Sequence, residues 1–203
     1  MATRVYVDGF NLYYRALKNT PYRWLDLSKL CQLLLPEDQI ERIKYFTAIV
    51  KALPRDPDQP NRQRVYLRAL TTIANLDIFY GKFLSHKVWM PLAEGPGFAE
   101  VIRTEEKGAD VALATHLLHD AHLGKYDTAA IISNDTDLIP AIRMARHDLH
   151  KKIGLLCPQK RVSAELASEV DFCKNVRRGV LRASQFPETM SDAQGTFHKP
   201  PSW

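Results

Sequence analysis

The sequence predicts an α/β fold: a central, mainly parallel sheet with helices on both faces. Short β-branched runs alternate with longer segments whose apolar residues recur at helical spacing, the pattern of strands joined by crossover helices. The first run, "RVYVDG", is apolar at nearly every position, as a strand covered on both faces requires. A third observation concerns strand ends. "IISNDTDL", Ile131 to Leu138, passes from a buried run directly into two carboxylates two residues apart.

Taken in order, "RVYVDG" is a strand closed by Gly9, and "FNLYYRALKN" and "LDLSKLCQLLL" are helices, the second stopped by Pro36. "RIKYFTAIVK" is the second strand. A Pro/Asp-rich loop, "PRDPDQPNRQ", precedes a helix expected from Gln63 to Leu76. "LDIFYGKFLSHKVW" reads as strand with room for a hairpin, and "MPLAEGPGFAEVIRTEE" as irregular or partly extended. "ADVALATHLLHDAHL" has helical spacing, "TAAIIS" is a strand, "DLIPAIRMARHDL" a helix, "KKIGLLCP" a strand, and Ser163 to Glu169 a short helix. Residues 1–183 are expected to form one domain. From Ser184 periodicity fades and Pro, Ser, Gly and Gln gather, so 184–203 are expected to be a flexible tail.

At 203 residues, with 45% hydrophobic and 25% charged residues, the chain has ordinary globular composition and length for a real core. No apolar run approaches the roughly 20 residues that span a bilayer, and Asp8 interrupts the N-terminal segment too early for a signal peptide. Cys31, Cys157 and Cys173 are scattered, which suits free thiols. The expectation is a soluble, cytoplasmic protein without a membrane partner. A net charge of +5 and a pI near 9.1 lean towards a polyanionic partner.

In open parallel sheets ligands bind beyond the carboxyl ends of the strands. Asp8 stands at one such end, followed by Gly9 and Asn11, and Asp135 and Asp137 stand at another. Asp110 opens the helix after Lys107-Gly108. Each acid has a capping reading. A single helix start uses only one capping side chain, however, so the Asp135/Asp137 pair is left with an unexplained carboxylate. Carboxylates brought together repel and raise one another's pKa unless a cation sits among them. Oxygen donors of this kind suit Mg²⁺ or Mn²⁺, ions that activate water and stabilise a phosphodiester's leaving oxygen.

"VYVDGFNLYY", "EEKGADVALATHLL" and "AAIISNDTDLIPAI", in that order, resemble the NYN domain, a PIN-like nuclease family. The resemblance implies a three-layer α/β/α sandwich and an acidic pocket that binds Mg²⁺ or Mn²⁺ and cleaves RNA. Its D-x-x-N motif falls on Asp8 and Asn11, its K-G-x-D block on Lys107 and Asp110, and its S-x-D-x-D block on Ser133, Asp135 and Asp137. Asp8, Asp110, Asp135 and Asp137 are thereby implied as metal-binding acids, with Asn11 and Ser133 orienting water or a carboxylate. Lys107 either contacts phosphate or balances the acids. PIN-like pockets often hold a further helix-borne acid, for which Glu105 and Glu106 are candidates. Asn134 stands where glycine is frequent in the family, and asparagine tolerates a left-handed turn.

Other chemistries fit less well. His116, His119 and His122 invite a zinc reading, but steps of three drift around a helix and no fourth ligand is evident. Haloacid-dehalogenase-like phosphatases carry D-x-D after their first strand, where this chain has Asp8-Gly9-Phe10. The alternative from another class is a PIN-like module that binds RNA or protein without cutting. For an RNA surface, single-stranded or structured, Arg62, Arg64 and Arg68 lie on one helix, Arg64 and Arg68 on the same face, and Lys151, Lys152, Lys160, Arg161, Arg177, Arg178 and Arg182 concentrate charge late in the chain. Tyr13, Tyr14 and Tyr22 are candidates for base stacking.

Overall fold

Val5, Tyr6 and Val7 have no exposed surface, as a strand in the middle of a two-sided sheet requires. The computed structural model describes residues 2–203. β1 (Ala2–Asp8) leads into α1 (Gly9–Leu12), which loosens into a π-helical turn, Tyr13–Leu17. α2 (Leu27–Leu34), β2 (Gln39–Thr47), α3 (Gln59–Thr71) and β3 (Leu76–Tyr80) follow. A ribbon of β4 (Lys82–Pro91) and β5 (Phe98–Lys107) precedes α4 (Ala109–His122) and β6 (Thr128–Ile132). After a 3₁₀ turn at Thr136–Leu138 come α5 (Ile139–Arg143), β7 (Lys152–Cys157), α6 (Ala164–Glu169), β8 (Phe172–Asn175) and α7 (Arg178–Ala183). β9 (Thr189–Asp192) and β10 (Gly195–His198) close the described chain.

The six-stranded central sheet has the order β3-β2-β1-β6-β7-β8, and every neighbouring pair is parallel. Strands wind outwards in one direction from β1 and in the other from β6. The crevice between the carboxyl ends of these two strands is therefore the topological switch point, where a doubly wound sheet binds ligands. Asp8 ends β1, and Ser133 to Asp135 leave β6 at the same edge.

Alternation along the strands builds two cores. Val5, Val7, Ile43 and Ile132 face α2, α3 and α7. Tyr6, Phe46, Ile131 and Leu155 face α4, α5 and α6. The result is the three-layer α/β/α arrangement that the sequence predicted. No helix among the described residues is long and apolar enough to cross a membrane.

The second core contains a charged centre. Asp120 Oδ2 accepts from Tyr6 Oη at 2.8 Å and Lys44 Nζ at 2.5 Å, and pairs with Arg4 at 2.9 Å. Burial pushes the Asp120 carboxyl up, but the hydrogen bonds from Lys44, Tyr6 and Arg4 outweigh it and hold it below its ordinary range. His116 Nδ1 lies 3.2 Å from Lys44 Nζ, and its ring centroid is 4.1 Å from that of Phe79. His116 thus belongs to this packing rather than to a zinc site.

Three expectations are corrected. The third helix runs over Gln59–Thr71, several residues earlier than expected, because Pro60 sits in its first turn, where its missing N–H costs nothing. The segment expected to be irregular or partly extended is more regular than that: it supplies β5, which pairs with β4 over ten residues each in a ribbon about 30 Å long that stands apart from the main sheet. Residues 184–203 are packed rather than a mobile tail. Trp24 Nε1 donates to Pro187 O at 2.7 Å, Phe197 is buried, and the Trp203 ring lies 5.4 Å from that of Tyr66. Arg68 donates to both Asp192 oxygens, at 2.7 and 2.6 Å, and lies over the Phe197 ring at 4.3 Å.

Candidate metal centre

Asp8 is held where a strand becomes a helix. Its Oδ1 accepts from Asn11 N at 2.8 Å, which caps α1, and its Oδ2 accepts from Ser133 Oγ at 2.9 Å. Only glycine permits this turn at position 9. A Cβ there would stand 2.6 Å from Tyr45 Cζ and 2.8 Å from the Phe46 carbonyl oxygen.

The fully buried Ser133 hydroxyl donates to Asp8 and accepts from Asp135 N at 3.1 Å, so one side chain fixes both strand ends. Asn11 Oδ1 accepts from Asn134 N at 3.2 Å, and Asn134 Oδ1 accepts from Ser163 N at 3.0 Å. Asn11 is accordingly a positioning residue between β1 and the turn after β6. Asn134 does not use a left-handed backbone; His150 is the non-glycine residue with positive φ among the described residues. Its side chain secures the turn instead.

Asp110 is delivered by α4. Gly108, at φ 102° and ψ −15°, turns the chain out of β5, and Glu106 Oε1 accepts from Ala109 N at 3.1 Å. Gly108 is the N-cap and offers no side chain, so Glu106 takes up the first helical N–H from the end of β5 and Asp110 is not used as a cap. Asp135 does both jobs: it caps the 3₁₀ turn by accepting from Asp137 N at 3.0 Å and also faces the other acids.

Asp8, Asp110 and Asp135 each place one oxygen within 4.8 Å of the other two. They line an open cleft of about 440 Å³ with Phe10, Asn11, Tyr14, Arg15, Phe83 and Glu106. Phe83, at the root of the β4–β5 ribbon, packs edge-on against Phe10 at 5.5 Å, and Glu106 stands opposite Phe83 in that ribbon. Burial pushes the Asp8 carboxyl up to about 6, and Asp110 and Asp135 add to the rise against the hydrogen bonds from Asn11 and Ser133. Asp110 is raised by burial, then by Asp135 and Asp137. Glu106 is raised by burial and by Asp110.

No lysine, arginine or histidine pairs with Asp8, Asp110 or Asp135 among the described residues. Clustered hard oxygen donors with uncompensated charge fit a divalent cation.

Other expected residues lie elsewhere. Asp137 is exposed and outside the group of three, acting on Asp110 only as a nearby charge. Lys107 pairs with Glu105 at 2.9 Å and does not line the cleft. Arg64 donates to Asn61, and Arg68 is occupied by Asp192, so α3 offers no free pair for phosphates. The basic surface is found at Arg15, which borders the acidic cleft and also lines a neighbouring groove of about 570 Å³ with Lys160, Arg177 and Arg178. The late-chain charges were legible in the sequence. Arg15 carried no signal beyond its place one turn after Asn11.

Comparison with known proteins identifies the family and the fold. Residues 2–174 match the NYN domain, and the chain belongs to that family. It is 32% identical over 238 aligned residues to 6-hydroxy-3-succinoylpyridine 3-monooxygenase HspA of Pseudomonas putida strain S16, covering 100% of this chain and 75% of that protein. A crystal structure of a protein of unknown function from Vibrio parahaemolyticus superposes with a TM-score of 0.57 at 18% identity, covering 87% of this chain and 93% of the other. That likeness establishes the fold.

The raised Asp8 carboxyl carries a pH dependence. Its folded value of about 6 lies above its ordinary 3.8, so the folded chain holds this proton more tightly than the unfolded one. The metal-free fold gains stability from this group below the unfolded value and loses it as pH rises through about 6, by on the order of 2–3 kcal/mol. Chemical unfolding in EDTA between pH 4 and 8 should show that decline, and Asp8→Asn should flatten it. Because a cation competes with the same proton, its affinity should fall about tenfold per pH step below 6. A pH-independent affinity would remove Asp8 from the ligand set.

Proposed function

We propose that the protein is a Mg²⁺- or Mn²⁺-dependent ribonuclease that hydrolyses RNA phosphodiester bonds, probing its substrate in the cytoplasm as a soluble domain. The observation that carries this reading is the convergence of Asp8, Asp110 and Asp135 within 4.8 Å at the switch point of the sheet. A divalent ion held there supplies activation of water near neutral pH and stabilisation of charge on the phosphate.

The chain's own residues do the rest. Asp8, Asp110 and Asp135 bind the ion, and Ser133 and the Asn11 backbone N–H keep the Asp8 carboxylate in one orientation. Glu106 lines the cleft outside the trio that binds the ion, and with its pKa raised by burial and by Asp110 it is suited to hold or release a proton. Phe10, Phe83 and Tyr14 wall the cleft and limit water around the phosphate. Asp137 contributes negative potential from outside.

Labelled single-stranded and structured RNA incubated with Mn²⁺, Mg²⁺ or EDTA tests this. Cleavage requiring the metal is the expected result. Cleavage that persists in EDTA sinks the mechanism, and metal-dependent RNA binding without cleavage assigns the chain to the non-cutting PIN-like modules.

Arg15, Lys160, Arg177 and Arg178 are proposed to track the RNA backbone. Each phosphate neutralised on a single strand adds about 0.7 to the slope of log K against log salt. Arg177→Gln with Arg178→Gln should therefore weaken RNA binding and lower that slope by about 1.4. Arg68→Gln should leave the slope unchanged, because that guanidinium is engaged with Asp192. Equal slopes for all three proteins would move the track elsewhere.

The Pseudomonas relative favours a second reading. Its name specifies oxygenation of a pyridine ring, and the likeness extends over the whole of this chain. Consumption of O₂ and an added two-electron reductant in the presence of 6-hydroxy-3-succinoylpyridine, with no cleavage of RNA, would transfer the site to that reading.

A further inference from the structure

The β4–β5 ribbon is the part of the chain that the fold leaves most uncovered. Among the described residues, half of the exposed large apolar side chains lie in it or in its connecting loop. A two-stranded ribbon is marginally stable in water at best unless something packs on one of its faces. Exposed apolar surface gathered in this way marks an interaction site.

Register sorts these side chains. Residues directly opposite in an antiparallel pair share a face, and so do alternate residues along each strand. The pairings of Lys87 with Ile102, Trp89 with Glu100 and Pro91 with Phe98 therefore lie on one face. The same face begins at the root of the ribbon with Phe83 opposite Glu106 and Ser85 opposite Thr104. There it is turned onto the body, where Phe83 packs against Phe10. Beyond the 2.9 Å hydrogen bond between Ser85 and Thr104 it is open: Trp89 and Phe98 are each 67% exposed and Ile102 73%. On the opposite face Leu84, Met90 and Val101 are less exposed, at 46%, 45% and 37%.

Area and charge together indicate what covers this face. At about 150–250 Å² for a whole aromatic side chain, the open parts of Trp89, Phe98 and Ile102 come to roughly 400 Å². A stable interface takes about 800 Å² from each partner, somewhat more than half of it apolar. Three side chains thus supply most of one partner's apolar share. A surface made for RNA would present unpaired cations. The ribbon instead balances Lys82, Lys87, Arg103 and Lys107 with Glu94, Glu100, Glu105 and Glu106. Lys87 pairs with Glu100 at 2.9 Å, and Arg103 and Lys107 both pair with Glu105, at 2.5 and 2.9 Å. Two copies of a chain that carries +5 overall can meet here without like-charge repulsion. A face that bears both signs is also self-complementary, since across a twofold axis Lys87 can meet Glu100 of the partner subunit.

We propose that this face of the ribbon is a homodimer interface, packed about a twofold axis against the same face of a second copy. Trp89, Phe98 and Ile102 form its apolar centre, and Lys87 and Glu100 its polar rim. The interface is independent of whether the chain cuts RNA.

Sedimentation velocity of the full chain from about 1 to 200 μM tests this. A concentration-dependent shift from the 23.2 kDa chain to twice that mass is expected. Trp89→Ala should raise the dimer dissociation constant at least about thirtyfold, because a central tryptophan is a typical hot spot and a twofold contact counts it twice. Ile102→Lys should leave the chain monomeric throughout the range. Met90→Lys, on the opposite face, should dimerise like the parent. All three positions are exposed, so each variant should keep the parent's melting temperature and circular dichroism. A parent that stays monomeric at the highest concentration overturns the interface. So does a dimer that survives both Trp89→Ala and Ile102→Lys, or one that Met90→Lys breaks as readily. A monomer whose tryptophan fluorescence titrates with oligouridylate, and loses that response in Trp89→Ala, would overturn it in favour of RNA on this face.

Discussion

Asp135→Asn is expected to lower metal-dependent RNA cleavage by about a hundredfold or more and to abolish most of the stabilisation conferred by Mn²⁺. The substitution is discriminating because Asp135 has two roles. Its Oδ1 accepts from Asp137 N, and asparagine caps such a turn about as well, so the local fold should persist. What is lost is one charged oxygen of the three that converge. Mn²⁺ should stabilise the parent by RT ln(1 + [L]/Kd), about 2.7 kcal/mol at a hundredfold excess over Kd, and the variant by much less. Without metal the variant should be at least as stable as the parent, since Asp135 contributes to the raised pKa of both Asp8 and Asp110. Thermal melts with and without Mn²⁺, beside the cleavage assay, give the answer. Equal Mn²⁺ shifts in both proteins would mean that Asp135 does not hold the ion.

Asp120→Ala should cost about 3–5 kcal/mol of folding stability. Among the described residues Asp120 is the one acceptor that Lys44, Tyr6 and Arg4 share, and Lys44 and Asp120 are both buried. Removing the carboxylate strands cations beneath the sheet with no water to replace it. Replacing both members of the central pair, Lys44→Met with Asp120→Leu, should recover much of the loss, because desolvation of two charges is then avoided. The Mn²⁺ increment of Asp120→Ala should match the parent's, because Asp120 lies outside the acidic cleft. Urea unfolding measures the first effect; a loss below about 1 kcal/mol would show that solvent reaches these charges.

The two substitutions probe acids that the sequence treats very differently. Asp8, Asp110 and Asp135 stand where a buried strand or a glycine turn gives way to charge, and that local contrast is visible in a string of letters. Asp120 sits inside "HLLHDAHL", where an acid on an ordinary helix reads as solvated. Its partners are 76 and 114 residues away, so nothing nearby announces them.

The same division runs through the whole chain. Strand and helix alternation, the parallel sheet, and the acids at its switch point follow from hydrophobic period and from breakers such as Gly9, Pro36 and Gly108, all of which act over a few residues. The sequence therefore determined the layers of the sandwich and three of the carboxylates. Only the tertiary structure decided which surface charges remain free. Arg64 and Arg68 looked like a basic pair, yet Arg68 is claimed by Asp192, 124 residues away, while Arg15 is brought beside Lys160, Arg177 and Arg178. It also decided that 184–203 pack, through Phe197 under Arg68 and Trp203 against Tyr66, and that Glu106 rather than Lys107 or Asp137 borders the cleft. Period and propensity are short-range properties of the chain. Pairing of charges, and burial of a polar hairpin by a few aromatic anchors, depend on which distant residues the completed fold brings into reach.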